Sequence, residues 1–241
     1  MQPSRYNLIH ALAATAVLVF AISKNFWHNF LHGAFVSPPG SRLLLFMLVC
    51  QAALFGGLLF VLWVSTLFMQ KPAPIDKADN SPKALNAVKA LKLATLAFVP
   101  IALGAFALEW LSTTALEHVF HLQPEGQDLV KWLQPGTYPT GVRFTLMVFV
   151  LFEAPLLEEP LFRGIIFRGL AKTCPIGVAM AISGLVFAII HVNAATLMPL
   201  WFLGVVFAWL YWRTGSILAP MFAHFLFNAT NLALILAGVV E

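Results

Sequence analysis

The stretch Leu157-Glu158-Glu159-Pro160-Leu161-Phe162-Arg163-Gly164 places three ionisable side chains inside a long apolar run. Each ionised group at membrane depth costs on the order of 3 kcal/mol or more, so such groups are kept where they pair or function. On a helix, Glu159 and Arg163 share a face, and Glu158 points about 100° away from them. The pattern predicts that Arg163 holds Glu159 as a buried ion pair and that Glu158 accepts a proton. A salt bridge that only joins two helices would explain Glu159 and Arg163 but gives Glu158 no role.

The composition is that of a polytopic membrane protein. Hydrophobic residues make up 60% of the chain and charged residues 10%, whereas soluble proteins contain about 25% charged residues. At roughly 20 to 25 residues per crossing plus loops, 241 residues predict about seven or eight transmembrane helices and no sizeable soluble domain. The predicted fold class is therefore all-α, with a single membrane domain over residues 1–241.

The charge distribution predicts the orientation in the membrane. The net charge is +4, but five of the 14 basic residues are lysines in the segment 70–92. Short loops rich in lysine and arginine stay on the cytoplasmic side, so this excess indicates topology and gives no reason to expect a nucleic-acid partner. The polar segment 112–141 carries several acidic residues and is predicted to lie on the opposite side.

The apolar runs predict the helices in chain order: 8–22, 43–69, 93–111, 142–170, 176–191, 197–212 and 217–240. A tight turn at residues 213–216 joins the last two. The helix at 142–170 would be about 43 Å long, which exceeds a hydrocarbon core of roughly 30 Å. It contains Pro155 and Pro160, each of which lacks a backbone donor, so a kink, a tilt or an early end is expected there.

Further polar side chains interrupt the last three predicted spans: His191, His224 and Asn228. One isolated membrane histidine or asparagine often serves as an interhelical hydrogen bond worth about 1 kcal/mol. Together with the acidic stretch, they predict one converging site. Counting the helical rise from the cytoplasmic ends places Glu158 and His224 in the cytoplasmic half and His191 nearer the far side. Either the helix at 176–191 begins later or the helices tilt.

These motifs resemble those of a known family. Glu158-Glu159-x-x-Phe162-Arg163-Gly164, Phe187-x-x-x-His191 and His224-x-x-x-Asn228 occur in the order found in the CAAX protease and bacteriocin-processing family of intramembrane proteases, which includes the Rce1-type prenyl-protein endopeptidases. The resemblance covers about residues 142–241, the expected catalytic core. Residues 1–141 resemble the family only as variable N-terminal helices and loops.

The resemblance implies hydrolysis of a peptide bond in a membrane-associated protein or peptide. Glu158 and His191 would activate a water, His224 and Asn228 would stabilise the oxyanion, and Glu159 and Arg163 would orient the site. No cofactor is expected, and zinc is the alternative, because one glutamate with two histidines is a plausible zinc set. Pro160 departs from the family pattern by following the acidic pair directly, and Glu153 is a rival base.

Two other functions are compatible with buried ionisable groups. A proton-coupled membrane transporter would carry them as a relay along a path, whereas these residues cluster on a few helices. A non-catalytic scaffold or immunity factor would not require every motif residue. The small number of charged residues and the compact size predict a multi-pass protein of a bacterial inner membrane.

Overall fold

The computed structural model describes residues 85–124, 128–134, 136 and 138–239. Within these residues the fold is all-helical, as predicted, and four helices are long and apolar enough to cross a membrane. The spans predicted at 8–22 and 43–69 lie outside the described residues, so the total of seven or eight remains a prediction.

Helix α1, Ala87–His118, is longer than the span predicted at 93–111. It begins early because the Asn86 side chain accepts a hydrogen bond from the Lys89 amide at 2.9 Å and caps the first turn. It continues through the polar residues, and the Thr113 hydroxyl is satisfied within the helix by donating to the Glu109 carbonyl. The predicted loops 70–92 and 112–141 are therefore partly helical, and the second also contains the short helix α2, Asp128–Leu133.

Helix α3, Thr140–Leu170, carries the acidic motif and confirms the span predicted at 142–170. It does not stop early. Instead, two π-helical segments, Phe149–Glu153 and Pro160–Phe167, interrupt its α-helical parts, which are Thr140–Val148, Ala154–Glu159 and Arg168–Leu170. Pro155 is the second residue after the first π segment, and Pro160 is the first residue of the second π segment. The irregularity expected from these prolines therefore takes the form of wider helical turns.

Three further helices complete the described chain: α4, Ile176–Ile189, α5, Leu197–Thr214, and α6, Leu218–Leu236. Helix α4 starts where predicted but ends before His191, and its 14 residues reach only about 21 Å. Helix α6 ends at Leu236, short of the predicted residue 240. The predicted turn after α5 is confirmed, because Gly215 adopts φ 62° and its amide donates to the Tyr211 carbonyl at 2.8 Å.

Helices α4 and α5 touch through their backbones. A Cβ on Gly204 would lie 2.5 Å from the Cα of Gly184, so neither position has room for a side chain. On the other side of α5, small buried residues of α1 such as Ala90 and Ala94 pack in one core cluster with Phe207 of α5 and Ala223 of α6. Close packing of small residues is the usual way in which membrane helices associate. It fixes α5 between α4 and α6, next to the acidic motif.

Candidate active site

The predicted ion pair of Glu159 and Arg163 is present. Arg163 Nε lies 3.0 Å from Glu159 Oε2, and both side chains are fully buried, with 0% exposure. The contact is ionic rather than a well-directed hydrogen bond, because neither atom meets hydrogen-bond geometry with the other. The second π-helical segment begins between the two residues, and the pair still forms across it.

Aromatic rings surround the Arg163 guanidinium. Its central carbon lies 5.8, 4.8 and 5.3 Å from the ring centroids of Phe162, Phe187 and Phe207. Nη2 also donates to the Gly204 carbonyl at 3.3 Å, which the glycine contact between α4 and α5 brings within reach. A guanidinium over phenyl faces gains cation–π attraction that partly replaces lost hydration. The rings therefore stabilise the buried guanidinium charge beside the Glu159 carboxylate.

His224 joins the two glutamates of the motif. Its Nδ1 lies 2.8 Å from Glu159 Oε1, and its Nε2 lies 4.0 Å from Glu158 Oε2. If both carboxylates are ionised, Nδ1 must donate to Glu159, and this bond fixes the direction in which the ring points. Phe207 stacks on the ring at 5.3 Å with an interplanar angle of 27°. Glu158, which is 6% exposed, therefore faces an oriented imidazole nitrogen.

His191 lies just beyond the end of α4. Its Nδ1 is 2.7 Å from the Phe187 carbonyl, and because a carbonyl only accepts, Nδ1 carries the hydrogen and the neutral ring keeps an accepting lone pair on Nε2. The next residue, Val192, has φ 49°, which is unusual for a β-branched residue and holds the chain in a sharp turn there.

The depth of His191 relative to the other site residues can be bounded from the rings. The Phe187 centroid lies 4.9 Å from that of His191 and 6.1 Å from that of His224, so the two imidazoles are no more than about 11 Å apart. Helix α4 starts at Ile176 as predicted, so a later start is the wrong explanation. Helix tilt, the other explanation, stays a prediction, and both rings pack on Phe187.

Asn228 lies one turn after His224 on α6, as its spacing predicts. Its Nδ2 donates to the Val150 carbonyl of α3 at 2.8 Å. Helix α6 is therefore bonded to α3 at two levels, through His224 to Glu159 and through Asn228 to Val150. One of the two amide hydrogens of Asn228 is thus committed to the backbone.

The structure brings Glu158, Glu159, Arg163 and His224 into one cluster, to which Phe187 connects His191. Glu153, the rival base, has a half-exposed side chain on the first π-helical segment. Sequence reasoning missed the bond from Glu159 to His224 and the roles of Phe207 and Gly204. A glycine inside an apolar helix was a usable signal for Gly204, but nothing distinguishes Phe207 among 22 phenylalanines.

The spacing of Glu158 and His224 is wider than that of two ligands on one zinc ion. Two ligand atoms on a tetrahedral zinc at about 2.0 Å lie roughly 3.3 Å apart, whereas Glu158 Oε2 and His224 Nε2 are 4.0 Å apart. Nδ1 of His224 is bonded to Glu159 and Nδ1 of His191 to a backbone carbonyl, as is common for zinc-binding histidines, so these bonds leave both Nε2 atoms as candidate ligands. Among the described residues, no group of three or more histidine, cysteine or acidic side chains has an arrangement suited to a metal ion.

Residues 140–230 match the family model described as type II CAAX prenyl endopeptidase Rce1-like. The matched segment contains all six predicted site residues, and it confirms the resemblance drawn from the motifs. No curated protein and no solved structure matches the chain. With the four apolar helices among the described residues, this match indicates an integral membrane protein that carries an Rce1-like segment at residues 140–230.

Proposed function

From the Rce1-like segment at residues 140–230, we propose that this protein is an intramembrane endopeptidase that hydrolyses a peptide bond with a glutamate-activated water. The observation that carries the proposal is the pair formed by Glu158 Oε2 and His224 Nε2, 4.0 Å apart in a buried cluster. A water that is hydrogen-bonded to both atoms at about 2.8 Å each fits that separation. The pair thus offers a base and a polar partner to one nucleophile.

Each residue of the cluster has a distinct part in the proposed reaction. The Glu158 carboxylate takes a proton from the water as its oxygen attacks the carbonyl carbon, and returns that proton to the amine nitrogen as the C–N bond breaks. His191 Nε2, an acceptor in the neutral ring, orients the same water. Glu159 and Arg163 do not touch the substrate and hold His224 in place.

His224 supplies the hydrogen-bond donor for the oxyanion. When the ring carries both hydrogens, Nδ1 donates to Glu159, and the Nε2 hydrogen bond shifts from the water to the carbonyl oxygen as that oxygen gains negative charge. With His224 in this form, Glu158, Glu159, Arg163 and His224 together carry no net charge, which suits a site inside the membrane. Asn228 already has one amide hydrogen on the Val150 carbonyl, so we assign the oxyanion donor to His224.

The decisive experiment is Glu158→Gln. The amide cannot accept the proton, so peptide cleavage should fall by about 10²- to 10⁴-fold. Membrane proteins and small peptides are compared by mass spectrometry between cells that make the parent and cells that make the variant. A prenylated C-terminal peptide, the substrate class in the family description, is the first purified substrate to test.

Glu153→Gln is the matched control, because it makes the same change at a half-exposed position five residues earlier. It should cleave at the parental rate. Full activity in Glu158→Gln, or loss in Glu153→Gln alone, would refute the assignment of the base. A proton-coupled transporter would yield no peptide product from either protein.

The proposed reaction uses no metal ion. We expect the detergent-purified protein to keep its activity after treatment with a chelator and to contain less than one zinc per chain by elemental analysis. Activity that disappears with the chelator and returns with zinc would establish the zinc alternative.

The bacterial inner membrane is the proposed location.

A further inference from the structure

One backbone carbonyl of α3 lacks both of its helical donors. The Ala154 amide donates to the Phe149 carbonyl, five residues back, as in a π-helical turn. In the same register, the Val150 carbonyl would receive its hydrogen from residue 155, which is proline and has no N–H. The α-helical donor to Val150 would be Ala154, whose N–H is already used.

Asn228 of α6 supplies the missing hydrogen. Its Nδ2 donates to the Val150 carbonyl at 2.8 Å. A bare carbonyl in the lipid core is costly, and side chains of neighbouring helices are among the groups that replace the donor that proline removes. The asparagine therefore stabilises α3 in its π-helical register at this turn.

That register controls where Glu158 points. The α-helical segment Ala154–Glu159 follows the first π segment directly. A π turn contains one residue more than an α turn, and successive residues are about 100° apart around the axis. If the segment Phe149–Glu153 relaxed to an α-helix, Glu158 would rotate by about that angle relative to the preceding part of α3, and away from His224.

We propose that Asn228 is a positioning residue that supplies the donor Pro155 lacks and so holds the register that aims Glu158 at His224. The activity readout rests on the proposed function. The proposal differs from the role that the family resemblance implies, in which Asn228 donates to the oxyanion. The two roles predict different effects of Asn228→Ala once Pro155 is replaced by a residue that has an N–H.

The test is a double-mutant cycle with Asn228→Ala and Pro155→Ala. Alone, Asn228→Ala should lower kcat at least about 10-fold with little change in KM, and lower the melting temperature by about 2 to 8 °C. In the Pro155→Ala background, the new N–H can reach the Val150 carbonyl. Asn228→Ala should then cost less than about 3-fold in kcat and leave the melting temperature unchanged.

An oxyanion donor would behave differently. Its removal would cost about 10²- to 10³-fold in kcat in both backgrounds, and that outcome would overturn the proposal. Pro160→Ala is the matched control, because it restores an N–H in the same helix at a position away from the Val150 carbonyl. The Asn228→Ala loss should be as large in that background as in the parent, and equal rescue by both proline variants would also overturn the proposal.

A second substitution and a measurement without substrate make the test independent of the folding of Pro155→Ala and of the proposed function. If Pro155→Ala does not fold, Pro155→Ser supplies the same N–H and is carried through the same cycle. The melting temperatures need no substrate, so they test the hydrogen bond even if the protein cleaves no peptide. Absence of cleavage by the parent would refute the proposed function, whereas unequal melting shifts in the two backgrounds would still support the role of Asn228.

Discussion

At the scale of single residues, Arg163 is the charge on which the buried cluster depends. It is fully buried, and Glu159 is its ionic partner. Arg163→Met leaves that carboxylate buried without its guanidinium partner, and removal of one member of a buried ion pair typically costs about 3 to 5 kcal/mol. We expect a large drop in thermal stability in detergent. Arg213→Met, at an exposed position, should change stability by less than about 0.5 kcal/mol, and equal effects of the two variants would contradict the proposed importance of the pair.

Phe207 is the residue whose role only the structure reveals. Its ring lies between the Arg163 guanidinium and the His224 imidazole, 5.3 Å from each. Phe207→Leu frees the imidazole to turn, and small misplacements of reacting groups cost up to about 10²-fold. We expect kcat to fall about 10- to 100-fold with KM nearly unchanged.

The control for this variant is Phe167→Leu. Phe167 is also fully buried, but its ring packs on Tyr211 rather than on the site. Both variants lose one buried phenyl ring, so both should lose stability, but only Phe207→Leu should lose turnover. Parallel loss of turnover in both would show that the ring acts through packing alone.

The clustering of Glu158, Glu159, Arg163 and His224 could be predicted because ionisable side chains stand out in an apolar sequence, where each carries a desolvation cost. Which atoms meet could not be predicted. The Glu159 carboxylate serves both Arg163 and His224, and only the packing of α6 against α3 decides that. Aromatic rings carry no such cost, so Phe207 gives no signal in the sequence.

At the scale of helices, the contact between α4 and α5 positions the Gly204 carbonyl for Arg163. A Cβ on Gly184 would lie 2.8 Å from the Val205 backbone nitrogen. Gly184→Ala should therefore separate the helices, lower the melting temperature by several degrees and reduce turnover. Gly177→Ala, on the same helix with nothing within 4 Å of the added methyl, should be neutral or stabilising by about 0.5 to 1 kcal/mol. A neutral Gly184→Ala would contradict the contact.

Helix positions were predictable and helix ends were not. Apolar runs located α3, α4, α5 and α6 correctly, because length and hydropathy decide which segments can enter a bilayer. The ends depend on local hydrogen bonds. The Asn86 cap starts α1 within a lysine-rich segment that was predicted to be a loop, and the two π-helical segments of α3 lie beside prolines that were expected to kink it.

At the scale of the whole molecule, the basic ends of two helices meet. The Leu85 amide donates to the Thr214 carbonyl at 2.8 Å, which brings the start of α1 next to the end of α5. Lys89 and Arg213 lie at this end. By the positive-inside rule we expect this end to face the cytoplasm, and α1, at 32 residues or about 48 Å, is long enough to carry its other end to the opposite side.

This orientation can be tested with single cysteines in a Cys50→Ser, Cys174→Ser background. Arg213→Cys should react with a membrane-impermeant maleimide only after the cells are permeabilised, whereas Val119→Cys, 68% exposed just beyond α1, should react in intact cells. Leu103→Cys is the control, because its 66% exposed side chain lies mid-helix, where lipid excludes a water-soluble reagent. Labelling of Arg213→Cys in intact cells would show that the orientation is the reverse of the predicted one, with the proposed active site nearer the outer leaflet.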